Sequence, residues 1–409
     1  MKKRLGFYPY TILWDFTNKC NLRCVYCYND DTSKQVLPLE EIEYGVTPPS
    51  QQPDLTVAQI RDRVIPQFEE MRVRTLCLSG GEPLVRWRDI LEIAPDLCDI
   101  GLEEIMLATN GTLLTREKVR EYKRAFKKVP MHFIALPLDS LDPGIVARLR
   151  PPMKDVLART KKAIRLALEE GLIVTVETVV TQDNFDEIDD IISFSKEKNT
   201  ACFAEIYPMF SEGRAKERND LLLTDKQFRE FDRVRLEKYG TCVTWDSMPF
   251  IPESEYWEKI KDKARLAEIT EGCIAGREYL QLDHAGNVYP CSFLRIHCGN
   301  LLTQDLKDIW ETNEMLLRFR NRDVGGKCGG CKHKETCGGC RARAYTETGD
   351  PFGGVESCEG GPEGHPMQGS FTETLKKTFK KQYRLARQLN ILKKLHLLKF
   401  LRKIGVKGL

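Results

Sequence analysis

Short apolar runs alternate with longer amphipathic stretches over the first 210 residues of the chain. The apolar runs are rich in β-branched and aromatic residues, which favours strands. They are YTILWDFT, TLCLSG, EIMLATN, HFIALPLDS, IVTVETVV and ACFAEIYP. Between them, apolar residues recur at helical spacing. These predicted helices are LTVAQIRDRVIPQFEEM with a break at Pro66, a short helix over Asp89–Cys98, and helices over Thr115–Lys127, Lys154–Glu170 and Phe185–Lys198.

Strands that are separated by helices of this length run parallel, because each helix returns the chain to the same edge of the sheet. Six such units in succession predict an α/β fold with a partial (β/α)6 TIM-like barrel rather than a short open sheet. Binding groups in such barrels lie at the C-terminal ends of the strands. The stretches TNKCNLRC, SGGEP and ATNG all fall at predicted strand ends.

The patterning changes after the sixth predicted strand. A barrel core over 1–215 is followed by polar, helical residues of mixed charge, which predict a connector over 216–265. Residues 266–362 are rich in Gly and Cys and have few long periodic segments. Such a region can hardly bury a core of its own, so interactions other than apolar packing must hold it together. A basic amphipathic helical tail is predicted over 363–409.

The tail and the body of the chain carry opposite charge. Lys376–Lys407 contains twelve Lys and Arg and no Asp or Glu, and since the formal net charge is +3, the rest carries −9. Leucines at helical spacing between these basic residues are typical of a helix on an anionic membrane surface. A helix that docks on the acidic body fits equally well. We expect no nucleic-acid partner, because no aromatic stacking platform accompanies the charge.

The chain shows neither a secretion signal nor a run of about eighteen apolar residues. We therefore expect a cytoplasmic protein, with membrane association through the tail as the alternative. Fifteen cysteines in such a protein are more often metal or cluster ligands than members of a disulfide framework.

Three of these cysteines stand close together in TNKCNLRCVYCYND, at Cys20, Cys24 and Cys27. A disulfide uses two sulfurs, and a tetrahedral zinc site takes four ligands. A C-x3-C-x2-C triplet with no fourth ligand nearby therefore indicates an incomplete site, and the spacing leaves open whether the protein or another molecule supplies a fourth ligand.

Seven further cysteines stand at spacings that suit thiolate ligation of iron–sulfur clusters or zinc, with glycines at the turns. They are Cys273, Cys291, Cys328, Cys331, Cys337, Cys340 and Cys358. A structural zinc ribbon remains an alternative, although the five residues between the two C-x2-C pairs are few for one zinc knuckle.

The N-terminal triplet, with the aromatic Tyr26 before its last cysteine, resembles the signature of the radical S-adenosylmethionine (SAM) enzymes. The resemblance implies a 4Fe–4S cluster whose fourth iron is chelated by SAM, and reductive cleavage of SAM to a 5′-deoxyadenosyl radical. SGGEP, ATNG and LPLDSLD resemble the family's SAM-binding segments at the ends of the second, third and fourth strands. The SAM-contacting residues that this implies are Tyr26, Gly80, Gly81, Glu82, Asn110, Asp139 and Ser140.

The later cysteines resemble the SPASM extension of this family, a small Cys-rich domain with two auxiliary 4Fe–4S clusters. The resemblance assigns Cys273, Cys291 and Cys340 to the first auxiliary cluster, with either Cys298 or an open iron as its fourth position. It assigns Cys328, Cys331, Cys337 and Cys358 to the second. One departure is that Gly338 and Gly339 alone separate the last two cysteines of CGGCKHKETCGGC, which looks more like the enzymes of haem and haem d1 synthesis than the peptide maturases.

The resemblance implies an oxidoreductase that oxidatively modifies a peptide or protein side chain with the help of the auxiliary clusters. The alternative is removal or decarboxylation of a porphyrin side chain, and the alternative from another class is a non-catalytic iron–sulfur or zinc scaffold. An electron donor such as ferredoxin or flavodoxin is the implied partner, besides a small-molecule or peptide substrate. The sequence singles out no general acid or base among Glu205, Tyr207 and Asp246.

Other reactive residues are expected to be structural. Free cysteines in apolar patterns act as small buried hydrophobes. His284 lies in a Gly-containing turn, and Arg148 and Arg150 are expected in an exposed, salt-bridged turn. The cysteines expected in the core are Cys77, Cys98, Cys202 and Cys242.

Overall fold

A computed structural model describes residues 9–29, 53–198, 202–234, 272–332, 334–335 and 337–358. Their contacts divide them into two compact units. The first contains the described residues up to Leu223 together with Ile274–Asp323, and the second contains those of Thr224–Cys273 and those from Val324 onward. The chain thus leaves the first unit after the sixth strand and later returns to it.

The first unit is built on a parallel sheet, and each of the six predicted strands is present. They are β1 Thr11–Thr17, β2 Thr75–Gly80, β3 Glu104–Ala108, β4 Met131–Pro137, β5 Ile173–Val180 and β6 Cys202–Pro208. Each strand pairs in parallel with the next one along the chain, in the order β6-β5-β4-β3-β2-β1. The prediction of successive β/α units is confirmed.

Twelve α-helical segments occur in the described residues, and most of those in the first unit follow the predicted spacing. They are α1 Val57–Gln59, α2 Ile65–Glu70, α3 Trp87–Asp99, α4 Arg116–Ala125, α5 Pro143–Leu149, α6 Val156–Glu169, α7 Ile188–Lys198, α8 Asp225–Val234, α9 Leu306–Thr312, α10 Glu314–Arg320, α11 Gly326–Gly329 and α12 Arg341–Thr348. A π-helical turn over Ile60–Val64 joins α1 to α2, in which Pro66 is the second residue. Proline lacks the N–H that a regular helix needs there, which is the break that the sequence predicts. Helix α5 was not predicted; Asp142 caps it by accepting a hydrogen bond from the Ile145 amide.

The core of the first unit lies between the sheet and its helices. Leu76, Leu78, Ile105 and Val174 in the central strands are each at most 1% exposed. Strands that are covered on both faces are apolar at nearly every position, which is why these segments read as continuous apolar runs.

Part of the Cys-rich region extends this sheet, which the sequence did not indicate. β7 Tyr279–Leu282 pairs in parallel with β1, so that Thr11 lies opposite Tyr279. β8 Asn287–Tyr289 and β9 Gly299–Asn300 continue the sheet in antiparallel fashion. The added strands cover the edge of β1 and bring the segment around Cys291 to the first unit.

The second unit has a small apolar core in its described residues, formed by Val324, Cys328, Ala344 and Val355, with Cys358 against it. So few buried side chains stabilise a fold weakly, in agreement with the expectation that interactions other than apolar packing hold this region together.

Several expectations for single residues meet different outcomes. Cys77, Cys98 and Cys202 are buried as predicted. Arg148 is exposed and paired with Asp183, but the prediction for Arg150 is wrong, because its side chain is only 2% exposed. The physical reason is that other elements, unseen in the local sequence, surround it. Buried His284 accepts a hydrogen bond from the Leu55 amide with its carbonyl oxygen and fits a structural role.

Cys242, Asp246 and the basic tail lie outside the described residues. Among the helices that the structure does describe, none combines the length and the apolar character needed to cross a membrane.

Candidate active site and cluster ligands

The C-terminal ends of the parallel strands surround a pocket with about 980 Å³ of empty space, part of it open to solvent. Cys20, Cys24 and Cys27, in the loop after β1, all line it. The lining also includes Glu177 within β5 and Tyr207 near the end of β6. The cysteine triplet and the strand ends therefore meet at one place, as the barrel topology predicts.

The three thiols of the triplet line one pocket, and none of them is part of a disulfide. The Cys20 sulfur accepts a hydrogen bond from the Leu22 amide at 3.4 Å. Burial raises the pKa of the Cys20 thiol, and the nearby Cys24 raises it further. Thiols that disfavour one another's ionisation in this way become ligands only when a cationic centre stabilises their thiolates. The arrangement fits a bound iron–sulfur cluster.

The glycine pair of SGGEP lets the end of β2 press against the cysteine loop. A Cβ at Gly80 would lie 2.4 Å from the Thr17 carbonyl oxygen, and a Cβ at Gly81 would lie 2.2 Å from that of Lys19. The Gly81 amide donates to the Thr17 carbonyl at 2.7 Å. No side chain fits here, so the pair serves close backbone approach and leaves backbone groups facing the pocket.

Glu82 has a different environment from the one its motif suggests. Its carboxylate is fully buried and accepts hydrogen bonds from the Leu84 amide at 3.0 Å, the Thr109 hydroxyl at 2.6 Å and the Asn110 amide at 2.8 Å. Burial raises the pKa of this carboxyl, and the three hydrogen bonds oppose the rise. The carboxylate fastens the loop after β2 to the loop after β3 and does not line the pocket.

Asn110 lies beside the cysteine loop. Its side-chain amide donates to Asn21 at 2.8 Å and lies 4.0 Å from the Cys20 sulfur. The residue lines the pocket.

Tyr26 and Asp139, which the family resemblance implies to be near SAM, are hydrogen-bonded to each other. The Tyr26 hydroxyl donates to Asp139 at 2.5 Å. Arg150 lies 3.8 Å from the same carboxylate and donates to the Pro137 carbonyl at 2.9 Å. Tyr26 and Arg150 line the pocket. Asp139 contacts both of them but does not line the pocket itself. Ser140 donates to Glu187 and does not line the pocket.

The segment after β6 is hydrogen-bonded to the cysteine loop, a contact that the sequence did not predict. The Arg214 amide donates to the Cys27 carbonyl at 2.9 Å, and its Nε donates to the Cys24 carbonyl at 2.9 Å. Its Nη1 is buried without a hydrogen-bond partner, and the residue lines the pocket. Gly213, with φ +58°, permits this approach. A Gly-Arg pair soon after a predicted strand was the available signal.

Glu177 was missed as well, because it sits within an apolar strand pattern. It lies opposite Glu205 of β6 and lines the pocket, whereas Glu205 does not. Burial raises the pKa of Glu177 to about 7, with a further rise from Asp139 and an opposing effect of Arg150.

Aromatic rings form one wall of the pocket. The Phe293 ring stacks on Phe210 with centroids 4.7 Å apart, and it also contacts Tyr207 at 5.6 Å and Tyr28 at 5.9 Å. This apolar wall restricts the access of water.

A buried polar group behind this wall joins the cysteine loop to β1 and the returning segment. Asp15 is fully buried and accepts hydrogen bonds from the Tyr28 hydroxyl at 2.9 Å, Arg295 at 3.3 Å and the Gln281 amide. The Arg295 guanidinium also lies over the Tyr289 ring at 4.5 Å. Tyr28, directly after Cys27, is therefore held in place from both sides.

Cys298 behaves as a core residue. It is 8% exposed, belongs to the main apolar core of the first unit, and its thiol donates to the Ile296 carbonyl at 3.5 Å. Cys291 lies in the same unit and is partly exposed.

The sulfurs of the second unit lie among backbone amides. Cys328 accepts from the Val355 amide at 3.4 Å, and Cys337 from the Gly339 amide at 3.4 Å. Cys340 caps α12 and accepts from the Arg343 amide at 3.5 Å. N–H donors and a helix N-terminus stabilise thiolates, which fits cluster ligation. Within the described ranges, no three His, Cys, Asp or Glu side chains are placed to hold a single metal ion.

Two family models match the chain. The model of the radical SAM superfamily matches residues 14–195, and that of the SPASM iron–sulfur cluster-binding domain matches residues 273–341. The chain carries a radical SAM domain and a SPASM domain. It is accordingly an enzyme whose cofactors are iron–sulfur clusters and SAM.

Relatives of this radical SAM enzyme include AdoMet-dependent heme synthases and mycofactocin maturases. An AdoMet-dependent heme synthase of Methanosarcina barkeri is 28% identical over 361 residues, which are 84% of this chain and 94% of that protein. The mycofactocin maturase of Mycolicibacterium smegmatis is 26% identical over 85% of this chain and 82% of its own length.

A solved structure of anSMEcpe with bound AdoMet has a TM-score of 0.59 at 16% identity, covering 93% of this chain and 99% of that one. Streptococcus suis SuiB bound to its precursor peptide SuiA has a TM-score of 0.59 at 17% identity, covering 86% and 76%. These two likenesses concern the fold.

Proposed function

We propose that Cys20, Cys24 and Cys27 hold a 4Fe–4S cluster and that SAM fills the remaining iron position within the strand-end pocket. The observation that carries this proposal is the meeting of three cysteine thiols and the Gly80–Gly81 backbone in one pocket. When bound, these groups supply a 5′-deoxyadenosyl radical, and the auxiliary clusters supply an acceptor for the electron that the oxidised substrate gives up.

The residues of the chain then have distinct tasks. The Gly80–Gly81 backbone and Asn110 face the SAM position, and Asp139 holds Tyr26 against it. Glu82 supports Asn110 by accepting a hydrogen bond from its amide. Ser140, which donates to Glu187, acts on this site through the backbone of the same loop. The aromatic wall excludes water, which a primary carbon radical requires.

The auxiliary ligands follow the family pattern. Cys328, Cys331, Cys337 and Cys358 would hold the second auxiliary cluster, for which the amide donors to Cys328 and Cys337 are the support. Cys273, Cys291 and Cys340 would hold the first. The core packing of Cys298 disfavours it as the fourth ligand and favours an open iron at that position.

The first candidate substrate is a peptide or protein side chain that is oxidised or cross-linked. Its support is the likeness to the mycofactocin maturase and to the PqqA peptide cyclase of Bradyrhizobium diazoefficiens, which is 24% identical over 86% of this chain. In this reading the open pocket mouth admits a chain end or loop.

The second candidate is a porphyrin whose carboxylate side chains are removed or decarboxylated. The stacked Phe210 and Phe293 rings offer a flat apolar surface, and the partnerless Arg214 Nη1 offers a donor for a carboxylate. The likeness to heme synthases and the short Gly338–Gly339 spacing also favour this candidate.

Substrate-dependent release of 5′-deoxyadenosine distinguishes the two candidates. The anaerobically reconstituted enzyme is incubated with SAM and dithionite, and with either a propionate-bearing porphyrin or a random peptide library. A porphyrin substrate raises the release and loses carbon dioxide together with two hydrogen atoms in the mass spectrum, whereas a peptide substrate raises it and loses hydrogen alone. If neither class raises the release above the substrate-free background, both substrate proposals fail.

We also propose that a ferredoxin or flavodoxin delivers the electron for SAM cleavage and that the enzyme works in the cytoplasm. The basic tail would bring it to an anionic membrane surface. Support for the last point is the concentration of twelve basic residues between Lys376 and Lys407.

A further inference from the structure

Arg341 is a buried cation in the second unit. It opens α12 directly after Cys340 and is 2% exposed. Its Nε donates to the Gly339 carbonyl at 3.0 Å, and its Nη1 donates to the carbonyls of Pro351 at 3.1 Å and Gly353 at 2.9 Å. Carbonyl groups orient the guanidinium but do not neutralise it, so its charge stays uncompensated by these contacts.

The remaining nitrogen of this guanidinium has no partner. Nη2 is buried without a hydrogen bond, and within the described part of the chain no carboxylate forms an ion pair with Arg341. An arginine side chain cannot lose its proton to escape this situation. A buried, charged donor without an acceptor is costly, which indicates that an anionic acceptor belongs beside it.

The position of Nη2 identifies that acceptor. A Cβ built on Gly339 would lie 2.5 Å from Arg341 Nη2 and also 2.5 Å from the Cys328 sulfur. Twice 2.5 Å is the greatest separation that these two distances allow, so Nη2 and the sulfur lie within about 5 Å of each other. Gly339 has φ +64° and no room for a side chain, which accounts for the glycine in the short CGGC spacing.

We infer that Arg341 donates a hydrogen bond to the iron–sulfur cluster of which Cys328 is a proposed ligand. We also infer that Arg341 stabilises the reduced form of this cluster. The inference rests on the proposed function, since it takes Cys328, Cys331, Cys337 and Cys358 as ligands. Reduction adds one electron to a centre that is already anionic with four thiolates. A fixed positive charge and a hydrogen bond to the sulfurs therefore favour the reduced state and raise the reduction potential.

Arg343 provides a matched control on the same helix. It is also buried, but its guanidinium lies 3.9 Å from the centroid of the Phe228 ring. A substitution there removes a charge from α12 without removing the donor next to Cys328.

The first test is pulsed electron paramagnetic resonance of the reduced full-length chain with Cys20, Cys24 and Cys27 replaced by Ala, so that only the auxiliary clusters give signals. With ¹⁵N in the arginine guanidinium groups, we expect a nitrogen coupling to one cluster that disappears in Arg341→Lys and persists in Arg343→Lys. A coupling that survives in Arg341→Lys overturns the inference, and so does the absence of any coupling.

The second test is a potentiometric titration of the same signals. We expect Arg341→Met to lower the midpoint potential of one auxiliary cluster, Arg341→Lys to lower it less, and Arg343→Met to leave it unchanged. An unchanged midpoint in Arg341→Met with full iron content overturns the inference. If Arg341→Met retains no cluster, the Lys variant and its nitrogen coupling decide.

The proposed ligand set is tested apart from this inference by the iron content of Cys328→Ala. If this variant keeps all the iron of its parent, the ligand assignment fails. If it loses one cluster and the Arg341 variants show no change, the inference about Arg341 alone fails.

Discussion

Glu82 is a buried carboxylate whose three hydrogen bonds hold the loops after β2 and β3 together. The donors are fixed backbone and hydroxyl groups, so both oxygens must accept. At the scale of single residues, Glu82 therefore supports the loops that surround the pocket.

We expect Glu82→Gln to lower the free energy of unfolding by about 1–3 kcal/mol, because the new amide group faces an N–H or O–H donor and leaves it unsatisfied. Chemical denaturation of the cluster-free protein measures this change. The control is Glu92→Gln on the surface, where Glu92 pairs with exposed Arg61 and a change within about 0.5 kcal/mol is expected. Equal effects of the two substitutions would contradict the role assigned to Glu82.

Glu177 makes a pH-dependent contribution to stability. Burial first, and then the charge of Asp139, raise its pKa from 4.5 to about 7, against the effect of Arg150. Between these two values the folded state holds a proton that the unfolded state has released, so this contribution is lost as the pH rises through the window. We expect the unfolding free energy of the wild type, relative to Glu177→Gln, to fall between pH 5 and pH 8. A difference that stays constant or grows with pH would refute this account.

At the scale of elements, the cysteine loop is held by the segments that follow β2 and β6. Gly213 has φ +58°, and a Cβ there would lie 2.3 Å from the Tyr28 carbonyl carbon and 2.4 Å from the Cys27 carbonyl oxygen. Both are backbone atoms, which cannot move aside without displacing the loop.

We expect Gly213→Ala to lose the N-terminal cluster and to destabilise the protein by more than the roughly 1–2 kcal/mol that a left-handed conformation costs an L-residue. Gly349→Ala is the matched control, because Gly349 has φ +73° but nothing within 4 Å of its Cβ position. Iron content and thermal unfolding are measured for both. If both variants lose the same stability and keep all iron, the close packing of the Gly213 segment is unimportant.

A helix or strand can be predicted from the sequence when the apolar spacing that specifies it lies within its own residues. Helices α3, α4 and α6 carry their own apolar spacing, and so do the six strands. β7 contains four residues, Tyr279–Leu282, which is too few for a period, and its pairing with β1 joins residues far apart in sequence. No local pattern can report such a contact.

The same reasoning separates the site residues that were found from those that were missed. The cysteines and glycines belong to short motifs with fixed spacing. Arg150 and Glu177 acquire their environment from Asp139 and other residues that are distant in sequence, so their sequence neighbours say nothing about their burial. The proximity of Arg341 Nη2 to the Cys328 sulfur likewise arises only in the folded chain.

At the scale of the whole molecule, the chain separates charge and function along its length. The residues that would hold clusters lie in the body, whose formal charge is −9 without Lys376–Lys407, and the basic residues lie in a tail beyond them. An acidic body is repelled by an anionic membrane, so the tail would have to supply the attraction.

We expect the full-length protein to co-sediment with phosphatidylglycerol-containing vesicles at low salt and to be released at high salt, because the attraction is electrostatic. A chain that ends at Pro362 should stay in solution under both conditions, and pure phosphatidylcholine vesicles are the lipid control. Equal behaviour of the two chains would remove the membrane from the account and leave the tail as an internal or protein-binding helix.

The most direct measurement of the central claim is SAM cleavage by the anaerobically purified and reconstituted protein. Iron and sulfide are counted, dithionite and SAM are added, and 5′-deoxyadenosine is quantified. We predict about twelve irons per chain, from three clusters of four, and release of 5′-deoxyadenosine that vanishes in Cys24→Ala but persists in the core variant Cys98→Ala. Zinc in place of iron, or equal release from wild type and Cys24→Ala, would contradict the account.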